Sequence, residues 1–336
     1  MDKLIFSFYG FGIEIVSSDL QTIHNVKRDY SFFIQKKAET SVKIEIIPLA
    51  PDYVDLPFIP ASVYTPRNIC YNHNHLAYID YYGRGLVIID KKKREYKVYS
   101  KDQHLRHEIV YLTILSLVGK YLDSKGLHRV HGFGIDIRGK GVLVLLPRGG
   151  GKTTLLLDLL KSKDIKLISE DSPLIDRAGR ILPFPIRIGV SAKDTLADIP
   201  QEYVHLLERM EFGPKYLIDI EAFKEKISRD SSSPWLVIVG TRGLGPGSEI
   251  KPLSKFKVLG EFIKNSVIGL GLYQGIEFIL QKNIFELFNK SGILISRLIN
   301  SYKIIRASDT YSFILGSDKK RNFETLSAFL EKIQEN

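Results

Sequence analysis

The chain has 336 residues, of which 44% are apolar and 26% charged, so it carries enough apolar material for one large or two modest cores and too much for a disordered polymer. Its net charge of +10 raises the question of a polyanionic partner, but the cations are scattered and the densest runs, Lys91–Arg94 and Lys319–Arg321, are short and belong to no reading motif, which argues against nucleic acid. The lone Cys70 excludes an internal disulfide and fits a reducing, cytoplasmic compartment; the apolar stretches are too short or too interrupted to cross a bilayer, and Glu14 breaks the amino-terminal one without a cleavage site after it.

In chain order, runs rich in Ile, Val, Tyr and Phe at Ile5–Val16, Ser41–Ile47, Leu76–Tyr82 and Gly85–Asp90 alternate with Gly, Pro and Asn turns and predict strands. Arg84–Ser100 reads as a hairpin around the charged turn Lys91–Arg94. Residues 1–102 are therefore expected to form a β-rich domain, and 103–336 a second one. That second domain opens with a helix, because Leu105, Ile109, Leu112, Leu115 and Val118 recur at helical spacing up to Leu122 and Gly126 stands where it should stop. Val130–Ile137 and Gly141–Leu146 come next as strands joined by the turn Arg138–Lys140, then a helix over Thr154–Leu160 and a strand over Lys166–Ser169. Beyond the turns marked by Pro173, Pro183 and Pro185, Trp235–Val239 reads as a buried strand, Lys255–Leu280 and Ile284–Leu298 as helical, and Thr325–Ile333 as a closing amphipathic helix.

The residues that carry chemistry cluster just past the predicted strand Gly141–Leu146. The segment VLVLLPRGGGKTTLLLDLL has the strand, glycine loop and helix order of a phosphate-binding loop. Gly149, Gly150 and Gly151 leave backbone amides bare for an anion, beside Arg148, and the helix start adds its positive dipole end. Lys152 would reach the β and γ phosphates, Thr153 would offer its hydroxyl to Mg²⁺, and Thr154 completes the loop. One position departs from Gly-x-x-x-x-Gly-Lys-[Ser/Thr]: Leu146 stands in the first glycine slot.

Nineteen positions beyond the lysine, LISEDSP ends a strand on adjacent carboxylates, Glu170 and Asp171. Phosphoryl transfer to a hydroxyl needs one acid near the metal and another to accept the hydroxyl proton, so the pair suits that reaction. Neighbours on a strand face opposite sides, so both acids can serve only if the strand ends there and the chain turns at Ser172-Pro173. His131, before the loop strand, is a candidate for tuning the pair. The histidine pairs His73/His75, His104/His107 and His128/His131 lack the cysteine or carboxylate pattern of a zinc site.

The set His131-Gly132, PRGGGKTTL, LISED and PFPIRI resembles the catalytic domain of HPr kinase/phosphorylase and its relatives, over about Leu105–Val190. The resemblance implies an α/β fold with a P-loop mixed-sheet core of the HPr-kinase/phosphoenolpyruvate-carboxykinase type. It also implies His131 as the proton-tuning partner, Glu170 in the place of the general base, and Asp171 near the metal; Thr153, Glu170 and Asp171 are the candidate metal ligands. The glycine-rich arginine signature of the bacterial enzyme is not recognisable here, so neither its protein acceptor nor phosphorolysis carries over. Arg187, Lys215 and Arg242 stay outside the expected site.

The expectation is an ATP-dependent, Mg²⁺-requiring phosphotransferase with an alcohol-group acceptor, either a serine of a peptide or protein or a small metabolite. The alternative is a nucleotide-binding regulatory or scaffold protein without transfer. The resemblance allows a homo-oligomer, although no segment marks an interface.

Overall fold

A computed structural model describes residues 2–147, 150–190, 196–209, 213–263 and 284–335, with side chains from 291 onward in the last stretch. Arg148 and Gly149 of the glycine loop, and the helical pattern expected past residue 263, lie outside the described residues. The chain is mixed α/β, with four sheets among the described residues. By contacts the described residues divide into two compact units: those of 2–121 with 189–222, and those of 122–188 with 223–263 and 284–335. The helix expected to open the second domain spans this division, and residues 189–222 group with the first unit.

In the first unit, β1 (Asp2–Phe8) and β2 (Phe11–Ser17) form a hairpin out of what reads in sequence as one run. Tyr9 and Gly10 both take positive φ, 53° and 90°, as a two-residue turn between twisted strands requires. With β3 (Val42–Ile47), β4 (Val63–Tyr64), β5 (Ile69–His73), β6 (Leu76–Asp80), β7 (Leu86–Asp90) and β8 (Glu95–Tyr99) they make an eight-stranded sheet in the order β1-β2-β3-β8-β7-β6-β5-β4. Helix α1 (Leu20–Asp29), which the residue pattern did not single out, packs on β1 and β2; its last residue Asp29 meets His107 of α2 (Gln103–Ser124) at 2.7 Å, both buried.

The second unit is built on β9 (His128–Arg129), β10 (Phe133–Ile137), β11 (Lys140–Leu145), α3 (Lys152–Leu159) and β12 (Ile165–Ser169). Short strands β13 (Leu174–Ile175) and β14 (Ile181–Leu182) make a small sheet with β9; β15 (Ile188–Val190), β16 (Val204–Leu207) and β17 (Lys215–Ile218) form another, which groups with the first unit from residue 189 onward. Then come β18 (Ser233–Arg242), β19 (Glu249–Pro252), α4 (Lys255–Phe262), α5 (Ile284–Ala307), β20 (Asp309–Leu315) and α6 (Lys319–Glu335). The main sheet runs β12-β10-β11-β18-β20-β19. Its interior strands β11 and β18 are parallel and buried on both faces, which is why VLVL and LVIV are unbroken apolar runs rather than alternating ones. Leu143, Leu145, Val237 and Val239 pack with Val258 and Phe262 of α4 and Ile304 and Ile305 of α5. Each such fully buried side chain is worth about 1.5–3 kcal/mol.

Helix α5 is fastened to the end of α2 by a polar network. Asp123 meets His128 Nδ1 at 2.9 Å and accepts from Arg297 at 2.7 Å; His128 Nε2 lies 2.8 Å from Ser296 Oγ, and Asn300 donates to the Gly126 carbonyl at 2.9 Å. Gly126 takes the left-handed φ of 72° that ends α2, and a side chain there would strike Arg177. Burial opposes the Asp123 charge most strongly, yet the His128 hydrogen bond and the Arg297 guanidinium outweigh it and hold its carboxyl below the ordinary pKa.

Arg297→Ala should therefore cost roughly 3–5 kcal/mol in urea unfolding at pH 7, because it strands a buried carboxylate. A depressed carboxylate pKa gives stability that is complete above the unfolded value near about 4 and is lost as the pH falls through the folded value. Wild type and variant should converge below that point.

Candidate functional site

Strand direction brings the expected site together. β10 runs antiparallel to both neighbours, with Phe133 opposite Val144 of β11 and Gly134 opposite Ser169 of β12. The amino end of β10, the carboxyl end of β11 and the carboxyl end of β12 therefore share one edge of the sheet. His131 precedes the first, the glycine loop follows the second, and Glu170 and Asp171 follow the third. The carboxyl ends of α/β strands are where such sheets take ligands.

The loop leaves β11 at Leu146, which is buried, and Gly150 donates its N–H to the Pro147 carbonyl at 2.9 Å, closing a turn. Gly151 holds φ at 81° and serves as the amino-terminal cap of α3, its carbonyl accepting from Leu155 at 3.0 Å. A residue with a side chain is strained at that φ, so the last glycine of the motif is a backbone requirement. From there Lys152, Thr153 and Thr154 occupy the first turn of α3, whose N–H groups have no acceptor inside the helix.

Across from the loop, β12 ends at Ser169. The Ser169 hydroxyl accepts from the Ser172 N–H at 3.1 Å and donates to the Phe184 carbonyl at 2.8 Å, so the chain turns where the acids begin and strand alternation no longer separates them. Sequence reading located the turn by Ser172-Pro173 and missed Ser169; the short polar residue three positions ahead of Ser172 was the available signal. Thr153 Oγ1 donates to Glu170 Oε1 at 2.6 Å. Lys152 Nζ is bonded to Asp171 Oδ1, and His131 Nδ1 lies 3.3 Å from that same oxygen. The two acids thus have different partners: Glu170 faces the loop hydroxyl, and Asp171 faces the lysine and the histidine.

The Lys152 side chain is only 14% exposed. Burial works hardest against its charge, but the Glu170 and Asp171 carboxylates prevail and its pKa is raised above the ordinary lysine value. Lys152 is a fixed cation, in contact with one acid and within the field of both.

His131 is oriented through its neighbour. A Cβ at Gly132 would lie 2.7 Å from the Val144 carbonyl and 3.0 Å from Leu145 Cδ2, so only a bare residue passes this close to β11. Gly132 N also points at the Asp171 carbonyl at 3.4 Å, and Val130 N donates to the Pro173 carbonyl at 3.0 Å. Those contacts tie the histidine strand to the acid turn. Of the other cations, Arg187 is buried, Arg242 is exposed at the end of β18, and Lys215 belongs to the first unit. Among the described residues no three His, Cys, Asp or Glu side chains gather as a metal cage, and no helix is long and apolar enough to cross a membrane.

No protein-family model matches the chain, and no curated protein matches it either. Among solved structures, the HPr(Ser) kinase/phosphatase from Coxiella burnetii is similar over 37% of this chain and 77% of its own, at 16% identity and a TM-score of 0.21.

Gly132→Ala should lower stability by about 1–3 kcal/mol, since the methyl group meets a strand carbonyl that cannot give way. A thermal melt of the purified variant checks it, and an unchanged Tm would show that the close approach to Val144 is not a constraint.

Proposed function

We propose that this edge of the sheet binds a nucleoside triphosphate with Mg²⁺ and transfers its γ-phosphoryl group to a hydroxyl, as the motif resemblance to HPr-kinase-like proteins implies. The carrying observation is the shared ion pair and hydrogen bond between loop and acids: Lys152 on Asp171, and Thr153 on Glu170 at 2.6 Å. A surface glycine turn has no reason to keep a half-buried ammonium on one carboxylate and in the field of a second, whereas a site for a polyphosphate needs a fixed cation beside acidic groups.

The donor set fits Mg²⁺. Thr153 and Glu170 supply hard oxygens side by side, and Mg²⁺ at nucleotide sites is held by one or two carboxylates together with phosphate oxygens rather than by an all-protein cage. When bound there it would neutralise charge on the phosphates. The loop amides and the start of α3 hold the phosphate chain, and Lys152 turns from Asp171 toward the β and γ oxygens. That movement releases the Asp171 carboxylate, which accepts the proton of the attacking hydroxyl while the hydroxyl oxygen bonds to the γ-phosphorus and the nucleoside diphosphate leaves. His131, 3.3 Å from Asp171, holds this acid in place. In this reading Glu170 is the metal-side acid and Asp171 the base. The acceptor is a serine hydroxyl of a peptide or protein, or the alcohol of a small metabolite.

Lys152→Ala should abolish both the thermal stabilisation by Mg-ATP and transfer of label from γ-labelled ATP to acceptors in a cell extract. Asp171→Asn should keep nucleotide binding and lose at least about 10²-fold in transfer, the range of a general base. Full transfer by the Lys152 variant ends the proposal; nucleotide binding without transfer by the wild type leaves a nucleotide-binding regulatory protein in its place.

A further inference from the structure

The first slot of the phosphate-loop pattern, normally a glycine that makes a tight turn, holds Leu146, and its side chain is 2% exposed. Something in the fold has to accommodate a leucine where the chain leaves the sheet. The register of the parallel pair β11 and β18 sets Leu145 opposite Val239, so the next positions are Leu146 and Gly240. A methyl group built on Gly240 would overlap Leu146 Cδ2 and stand 3.0 Å from Leu315 Cδ1 on β20. Gly240 has no positive φ to explain it. It is bare because the leucine fills its side-chain space. A glycine in the middle of a central strand weakens that strand by entropy and lost packing, so its presence marks a close approach.

We propose that Gly240 is a positioning residue for the phosphate loop, and that the buried Leu146 side chain, seated over Gly240 and against Leu315, replaces the missing loop glycine in fixing where the loop departs from β11. This rests on the nucleotide-binding reading above. A turn glycine would set the departure through backbone dihedrals; here packing sets it. Leu146 and Leu315 are both buried, so a side chain at 240 cannot be relieved by swinging Leu146 into solvent. Displacing Leu146 displaces the residue at which the loop leaves β11, and Lys152 and Thr153 lie six and seven positions further on.

The test is a double-mutant cycle read by Mg-ATP affinity in the full chain, using Gly240→Ala, Leu146→Ala and the pair together. Gly260→Ala, at an α4 position with no neighbour within 4 Å of the new methyl, is the control. Each single change should weaken binding by about tenfold or more, one by pushing the loop entrance and the other by unpinning it. The double variant should bind more tightly than either, because the added methyl fills part of the space the leucine vacated. Thermal melts of the same variants are read alongside: a merely structural glycine moves Tm and leaves the Mg-ATP affinity of the folded protein unchanged. Should Gly240→Ala fail to fold, the comparison of Leu146→Ala with the double variant still decides, since the same methyl must there improve affinity. Wild-type affinity for Mg-ATP is measured first: its absence removes the nucleotide reading, whereas wild-type binding with no recovery in the double variant, or with an unaffected Gly240→Ala, overturns the role of Gly240 alone.

Discussion

Backbone pairing along β10 is the constraint on which the rest depends. Because it is antiparallel to both β11 and β12, one register fixes three chain ends at one edge of the sheet. A slip of one residue on either side would turn every side chain of the displaced strand to the opposite face and carry the acids away from the loop. The close approach of Gly132 to Val144, and the bond from Val130 to Pro173, hold the beginning of β10 where that register is chosen. The site's chain ends are thus placed by strand hydrogen bonds.

Electrostatics then completes what the sheet brings together. An ammonium as buried as Lys152 would tend to lose its proton if it were alone. Two carboxylates reverse that tendency, and the lysine in turn makes adjacent negative charges tolerable at the end of a strand. The balance is local: one ammonium is held against two carboxylates. The partners sit on the first turn of α3 and on a turn closed by Ser169.

The core under the site also depends on elements remote from it. The network of Asp123, His128, Ser296 and Arg297 lies where α5 meets the end of α2, and the apolar layer of α4 and α5 covers one face of the sheet. Helix α6 packs with α3.

Much of this was legible in one dimension. The glycines, Lys152 and Thr153, and the acids after a strand come from local rules about which residues leave amides bare, end a strand or carry charge; the role of the histidine ahead of them came from the family resemblance. Periodicity identified α2 and the strands flanking the loop because each buries one continuous set of side chains. It did not identify β20, whose sequence DTYSFIL mixes exposed and buried positions yet sits between β18 and β19, or α1. Nor could it assign partners to the two acids, or explain Leu146 in a glycine slot. Those depend on pairing between residues far apart in the chain, Gly134 with Ser169 and Leu145 with Val239, and only the folded sheet specifies which distant residue leaves room for which side chain.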